Sequence, residues 1–169
     1  MIDPVEKDFD IFPIASYSYY RGRWSERGMP YRFLEEIAIG DLAFEAEGRT
    51  LPEVFEAAAL ALTEAMVELD GLSPTLSRPI SLRAEDLETL LFRWLAELIY
   101  LKDAACLLFR RFAITIREGT ECELEATAWG DQINYETMSL KVDVKAVTYH
   151  LFSLTKTPHG WRAQVILDI

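Results

Sequence analysis

Cysteine and histidine are scarce, with two of each in 169 residues. Cys106 and Cys122 supply no disulfide framework, and no Cys or His spacing typical of a zinc site occurs. The two thiols are expected to be reduced. They are expected on two strands that pair across a turn near Glu118-Gly119, in a register that keeps them apart. The eight glycines are scattered, which excludes a Gly-rich phosphate loop. No apolar run reaches the ~20 residues of a membrane span. Acids near the start stand where an export signal would need a basic region, so a cytoplasmic location is expected. Lys and Arg number 17 against 28 Asp and Glu, a formal charge of −11. A surface this acidic repels phosphate, so direct binding of nucleic acid is not expected, whereas divalent cations or a basic partner suit it. No arrangement of Ser, Cys and His marks a nucleophile.

Half of the residues are hydrophobic, enough for the core of one domain. Residues 1–28 stand apart: Tyr17, Tyr19, Tyr20 and Trp24 lie among Arg21, Arg23 and Arg27. This stretch is expected to be an extension, and 29–169 a single domain. A short apolar strand is expected over 31–39, then a strand over 41–47 with Leu42, Phe44 and Ala46 on one face and Asp41, Ala43, Glu45 and Glu47 on the other. Thr50 and Glu53 form a capping box, and apolar residues at spacings of three and four predict a helix over 51–69. Glu56, Glu64 and Glu68 are expected on its solvated face. A strand over 78–84 and a helix over 85–102 follow, then strands over 105–117 and 122–129 and a polar loop over 130–140.

The last stretch, 141–169, reads as three strands. Val142, Val144, Ala146 and Thr148 share one face of the first; Trp161, Ala163, Val165, Leu167 and Ile169 share one face of the last. Thr157-Pro158-His159-Gly160 is a turn signal that makes 151–157 and 160–168 a hairpin. His159 is expected to be exposed in that turn, and His150 to end a strand in a structural hydrogen bond. The element order predicts an α+β fold: two amphipathic helices packed on a largely antiparallel or mixed sheet.

The chemistry left to such a chain is that of oxygen ligands. Asp41 and Asp168 both fall on polar strand faces, and Ile169 carries the last carboxylate of the sequence. If the early and last strands are neighbours, these three form a hard-oxygen cluster. Crowded carboxylates repel and call for a cation. Ca²⁺ accepts six to eight oxygens in irregular geometry, so water or a partner would complete its shell.

DVKAVTYH (143–150) and GWRAQVILDI (160–169), with EGRTLPEVFEAAALAL (47–62) and EDLETLLFRWLAEL (85–98), resemble the archease family. The resemblance covers about 31–169. It implies an archease-like two-layer sandwich and a non-enzymatic, calcium-binding accessory protein. Its partner would be an RtcB-type RNA ligase, whose guanylylation and turnover it promotes in tRNA splicing or RNA repair. It implies Ca²⁺, or another divalent cation, on Asp41, Asp168 and Ile169, and a functional role for Lys145. Two departures stand near that site: Ala38 and Met138 replace usual family histidines. They leave open a binding or chaperone-type adaptor that has lost the ligase role. A hydrolase using a metal on Asp41 and Asp168 ranks last, because no general base is evident.

Overall fold

The computed structural model describes residues 30–34 and 40–169. The expectations for the arm 1–28 and for 35–39, Ala38 included, fall outside those residues. Among the described residues the strands are β1 (Tyr31–Leu34), β2 (Asp41–Gly48), β3 (Leu76–Ala84), β4 (Leu107–Glu118), β5 (Cys122–Gln132), β6 (Ala146–Thr157) and β7 (Gly160–Asp168). Helix α1 (Leu51–Met66) follows β2, and α2 (Leu87–Ala105) follows β3. The strands divide into two sheets, one ordered β1-β2-β7-β6 and the other β3-β5-β4. Every strand pair is antiparallel. The fold is therefore α+β, with two helices on antiparallel sheets.

Helix α1 starts where the sequence says it should. Thr50 accepts from the Glu53 amide, and the Glu53 carboxylate accepts from the Thr50 amide, so each fills an otherwise orphan donor. The helix packs against β2 and β7 of one sheet and β4 of the other. That position explains why it is buried almost all round. Val54, Phe55 and Leu62 are fully buried, and so are Ala57, Ala59 and Ala61 away from the expected stripe. Each large apolar side chain contributes about 1.5–3 kcal/mol before chain entropy is subtracted. Glu64 is only 2% exposed, which corrects its expected place on a solvated face. Tyr31 of β1 and Lys141 cover that side of the helix: the Tyr31 hydroxyl donates to Glu64 Oε2 at 2.5 Å, and Lys141 Nζ lies 3.9 Å from Glu64 Oε1. Asp86 caps α2 by accepting from the Thr89 amide at 2.7 Å, and this bond holds its carboxyl below the usual range. Trp94 of α2 is fully buried, and its indole N–H donates to the Phe55 carbonyl at 3.1 Å, closing helix on helix.

Two further expectations are corrected. Cys106 is not a strand residue: it caps α2 in the left-handed region at φ 55°, and its carbonyl accepts from the Ile133 amide at 2.7 Å. Cys122 opens β5 opposite Glu118, and both thiols are free. The end of the chain holds two strands rather than three. Residues 142–145 are not strand, and β6 runs unbroken from Ala146 through a bulge between Thr148 and Ser153. Val144 and Val147 are the buried pair, a spacing of three that the expected alternation does not produce. The turn Thr157–Gly160 closes the β6–β7 hairpin as predicted. Gly160 has φ 149°, and a Cβ there would stand 2.2 Å from the Gly48 carbonyl oxygen, so only glycine fits.

Candidate metal centre

The early and last strands are neighbours. β2 pairs with β7 in the register Asp41↔Asp168, so the two side chains lie directly opposite on one face. The Ile169 amide donates to the Gly40 carbonyl at 2.9 Å. Hydrogen-bonded and non-hydrogen-bonded pairs alternate along an antiparallel ladder, so Asp41 and Asp168 form a non-hydrogen-bonded pair. In such pairs the Cα atoms stand ~4.5 Å apart and side chains approach most closely. Gly40 turns the chain into β2 at φ 94°, a conformation glycine adopts without strain. Asp41 is half-buried, Asp168 exposed and Ile169 half-buried. The Ile169 side chain packs against the core, which anchors its main-chain oxygens at the sheet end.

Lys145 completes the arrangement from the other side of β7. Its amide donates to the Asp168 carbonyl at 2.8 Å, and its ammonium donates to the Ile169 oxygen at 3.3 Å. The segment before it owes its position to α1, whose last turn leaves carbonyls without intrahelical partners. Lys141 and Val142 donate amides to Met66 and Ala65 at 2.9 and 3.3 Å, and Lys141 Nζ donates to the Glu64 carbonyl at 2.9 Å. Lys141 Nζ also lies 3.1 Å from Glu68. The last turn of α1 has no basic residue of its own, so Lys141 supplies the cation that the helix dipole favours there. This docking ends α1 at Met66, three residues short of the expected end, and pairs Val67 with Leu140. Asp143 is pinned by Lys102 of α2 at 2.5 Å. Burial opposes the Lys102 charge, but its hydrogen bonds to Asp103 and Asp143 outweigh burial and hold it above the usual lysine range. Val144 is then fully buried, which aims Lys145 at the end of β7.

The donor set fits a hard divalent cation. Two carboxylates oppose each other across a strand pair, and like charges so placed destabilise a sheet unless something neutralises them. One ammonium, that of Lys145, reaches the same end. All the donors are oxygen, and the place is exposed enough for water to fill the remaining positions. Among the described residues no three His, Cys, Asp or Glu side chains gather in a metal-binding group. The main-chain oxygen of Ile169, which the Lys145 ammonium meets at 3.3 Å, lies at the same end of the sheet.

The histidines lie elsewhere. His159 is exposed in the β6–β7 turn, as expected, and His150 is exposed in the β6 bulge. Met138 packs against the core, and its sulfur accepts from the Asn134 amide at 3.4 Å. What sequence reasoning missed is the support for Lys145. Lys141 and Asp143 read as one polar strand face, and nothing local shows that α1 and α2 hold them.

Comparison with known proteins agrees with this architecture. The model of the Archease protein family (MTH1598/TM1083) matches residues 31–169. Protein archease of Methanosarcina barkeri is 40% identical over 147 residues, 86% of this chain and 99% of that protein. Its counterpart from Archaeoglobus fulgidus is 36% identical over 141 residues, 83% of this chain and 100% of that protein. The solution structure of Methanobacterium thermoautotrophicum protein 1598 is 32% identical, with a TM-score of 0.74 over 83% of this chain and 99% of that one. A Thermotoga maritima archease described as a possible chaperone shares the fold, at 22% identity and a TM-score of 0.55. No helix among the described residues is long and apolar enough to cross a membrane. From Tyr31 to Ile169, this chain belongs to the archease family.

Proposed function

We propose that this chain is a non-enzymatic, calcium-binding accessory protein that activates an RNA ligase. It promotes guanylylation and turnover of an RtcB-type partner in tRNA splicing or RNA repair, in the cytoplasm. One observation carries the reading: Asp41 and Asp168 face each other across β2 and β7 with Lys145 beside them. Asp41, Asp168 and the carboxylate of Ile169 would hold Ca²⁺ or another divalent cation, which supplies positive charge where like charges meet. The chain's own residues then have three tasks. The aspartates offer oxygens at the tip of the sheet. The Ile169 side chain, packed on the core, keeps the last oxygens in place. Lys145 neutralises part of the negative charge and offers a cation to a partner's phosphate or carboxylate.

The test is stimulation of guanylylation of the RtcB-type ligase from the same source. Asp168→Ala is expected to abolish stimulation while the circular dichroism spectrum and unfolding cooperativity stay unchanged. Full stimulation by that variant overturns the reading. The adaptor alternative draws on Met138, whose thioether packs against the core at a position where the family usually has an imidazole. An unaltered chain that binds the ligase without stimulating it selects the adaptor.

A further inference from the structure

We propose that the β6 bulge, with Tyr149 and Leu151 at its crest, is a second docking surface for the same protein partner that the carboxylate end engages. The proposal rests on the accessory reading above and names a further part of its interface.

The stretch 146–155, AVTYHLFSLT, contains no Asp, Glu, Lys or Arg. It lies on β6, at the edge of its sheet. Exposed edges are commonly guarded by charged side chains against strand addition. This edge is guarded in another way. Thr148 pairs with Ile166 and Ser153 with Gln164, so residues 149–152 stand opposite Val165 alone. The ladder is broken there, and Glu88 of α2 accepts the Leu154 amide at 3.1 Å. The bulge interrupts the regular edge and one of its amides is already taken, so the side chains are the main feature that this edge presents.

Those side chains are held in place. Leu151 sits at φ 51°, a region that non-glycine residues avoid, and Gln164 Nε2 donates to its carbonyl at 3.1 Å. Tyr149 is 72% exposed and Leu151 43%. The Tyr149 ring stacks flat on Phe92 of α2, with centroids 3.9 Å apart and planes 5° apart, and Phe152 meets Phe92 edge-on at 5.3 Å. One face of Tyr149 is therefore fixed and the other is open. A rigid, exposed aromatic loses little freedom on binding, the property that makes Tyr a frequent anchor at interfaces.

The location selects the occupant. Ala146, three residues before Tyr149, pairs with Asp168, and three residues of strand span ~10 Å. The carboxylates lie on the outer face of the sheet and Tyr149 on the side of α2, so a partner that meets both wraps the edge strand β6 next to Lys145. A chain of net charge −11 repels nucleic acid, and a second copy would bring acid against acid. The fitting partner is a protein with an apolar pocket for the Tyr149 ring, next to basic groups or a cation that meet Asp41 and Asp168.

Titration of the RtcB-type ligase with the full chain, in the presence of Ca²⁺, tests this. Tyr149→Ala and Leu151→Gly are each expected to weaken ligase binding about tenfold or more, with Ca²⁺ affinity unchanged. Tyr149→Phe is expected to bind within about twofold of the unaltered chain. Leu151→Gly guards against misfolding, because glycine occupies the positive-φ position without strain. Ligase affinity unchanged by both truncating variants overturns the proposal. So does single-stranded RNA binding by the unaltered chain that Tyr149→Ala removes, since the surface would then serve a nucleic acid. No ligase binding by the unaltered chain overturns the accessory reading and this inference together. Binding that survives Asp168→Ala but falls with Tyr149→Ala supports the bulge while overturning the role given to the carboxylates.

Discussion

Strands β2 and β7 share one outer face, and its two ends are built on opposite electrostatic rules. At one end Glu47 stands opposite Arg162, with Arg162 Nε 3.1 Å from its carboxylate. One pair further on, Glu45 takes a salt bridge from Arg32 of β1 at 2.9 Å. Ala43, Ile166 and Leu34 follow, a small apolar cluster. At the far end Asp41 opposes Asp168. The backbone geometry is the same throughout, so the contrast comes from side chains alone. Where charge serves stability, the sheet pairs opposite signs. Where it opposes like signs, a cost of about a few tenths to 1 kcal/mol is expected, which the proposed cation would offset.

The largest effect that separates the two ends is metal-linked stability. Ca²⁺ at a hundredfold its dissociation constant is expected to add about 2.7 kcal/mol, which for a chain of this size raises Tm by about 5–11 °C. Asp41→Ala or Asp168→Ala is expected to leave Tm flat under Ca²⁺ in a thermal melt. Next comes an attempt to copy the acidic end at the paired one. Arg162→Glu sets like charges against Glu47 and is expected to lower stability by about 1 kcal/mol in urea unfolding. Its Ca²⁺ response should stay intact, and a lost response would mean that the two ends are not independent. Smaller still, Asp168→Asn in EDTA is expected to raise stability by up to about 0.5 kcal/mol, because repulsion is relieved and no cation is present to lose. A fall in the urea midpoint would contradict that account.

The smallest effect concerns pH at the paired end. Burial pushes the Glu45 carboxyl above its ordinary 4.5, against the pull of Arg32. A carboxyl raised on folding contributes stability that is present below its unfolded value and is lost as pH rises through its folded value. Glu45→Gln is therefore expected to remove one falling contribution, so that from about pH 4 upward the variant's urea midpoint falls less, or rises more, than that of the unaltered chain. An identical pH profile for the variant would show that Glu45 titrates as it does in the unfolded chain.

Much of this was legible in the residues. The alternation in 41–47 and 160–168 placed Asp41 and Asp168 on polar faces, and the antiparallel pairing of β2 with β7 brought them together. The Thr50–Glu53 box and the Thr157–Gly160 turn are local signals, and both formed. The misses have tertiary causes. Glu64 reads as surface because a helix pattern cannot show that Tyr31 of β1 and Lys141 pack over that side, although Ala57, Ala61 and Ala65 hint at close packing there. In the residues the β6 bulge looks like a break between strands, because Leu151 gives no sign of a left-handed backbone. Cys106 conceals a helix cap for the same reason, where glycine or asparagine would have announced one. The contact from Lys145 to Ile169 joins residues held by two helices and a strand, and no local spacing encodes it.

The most direct measurement is calorimetric titration of Ca²⁺ into the untagged chain, beside a version with residues added after Ile169. The account predicts binding to the first and its loss in the second, because the proposed site counts a carboxylate at Ile169 together with Asp41 and Asp168. Equal Ca²⁺ binding by both would contradict it.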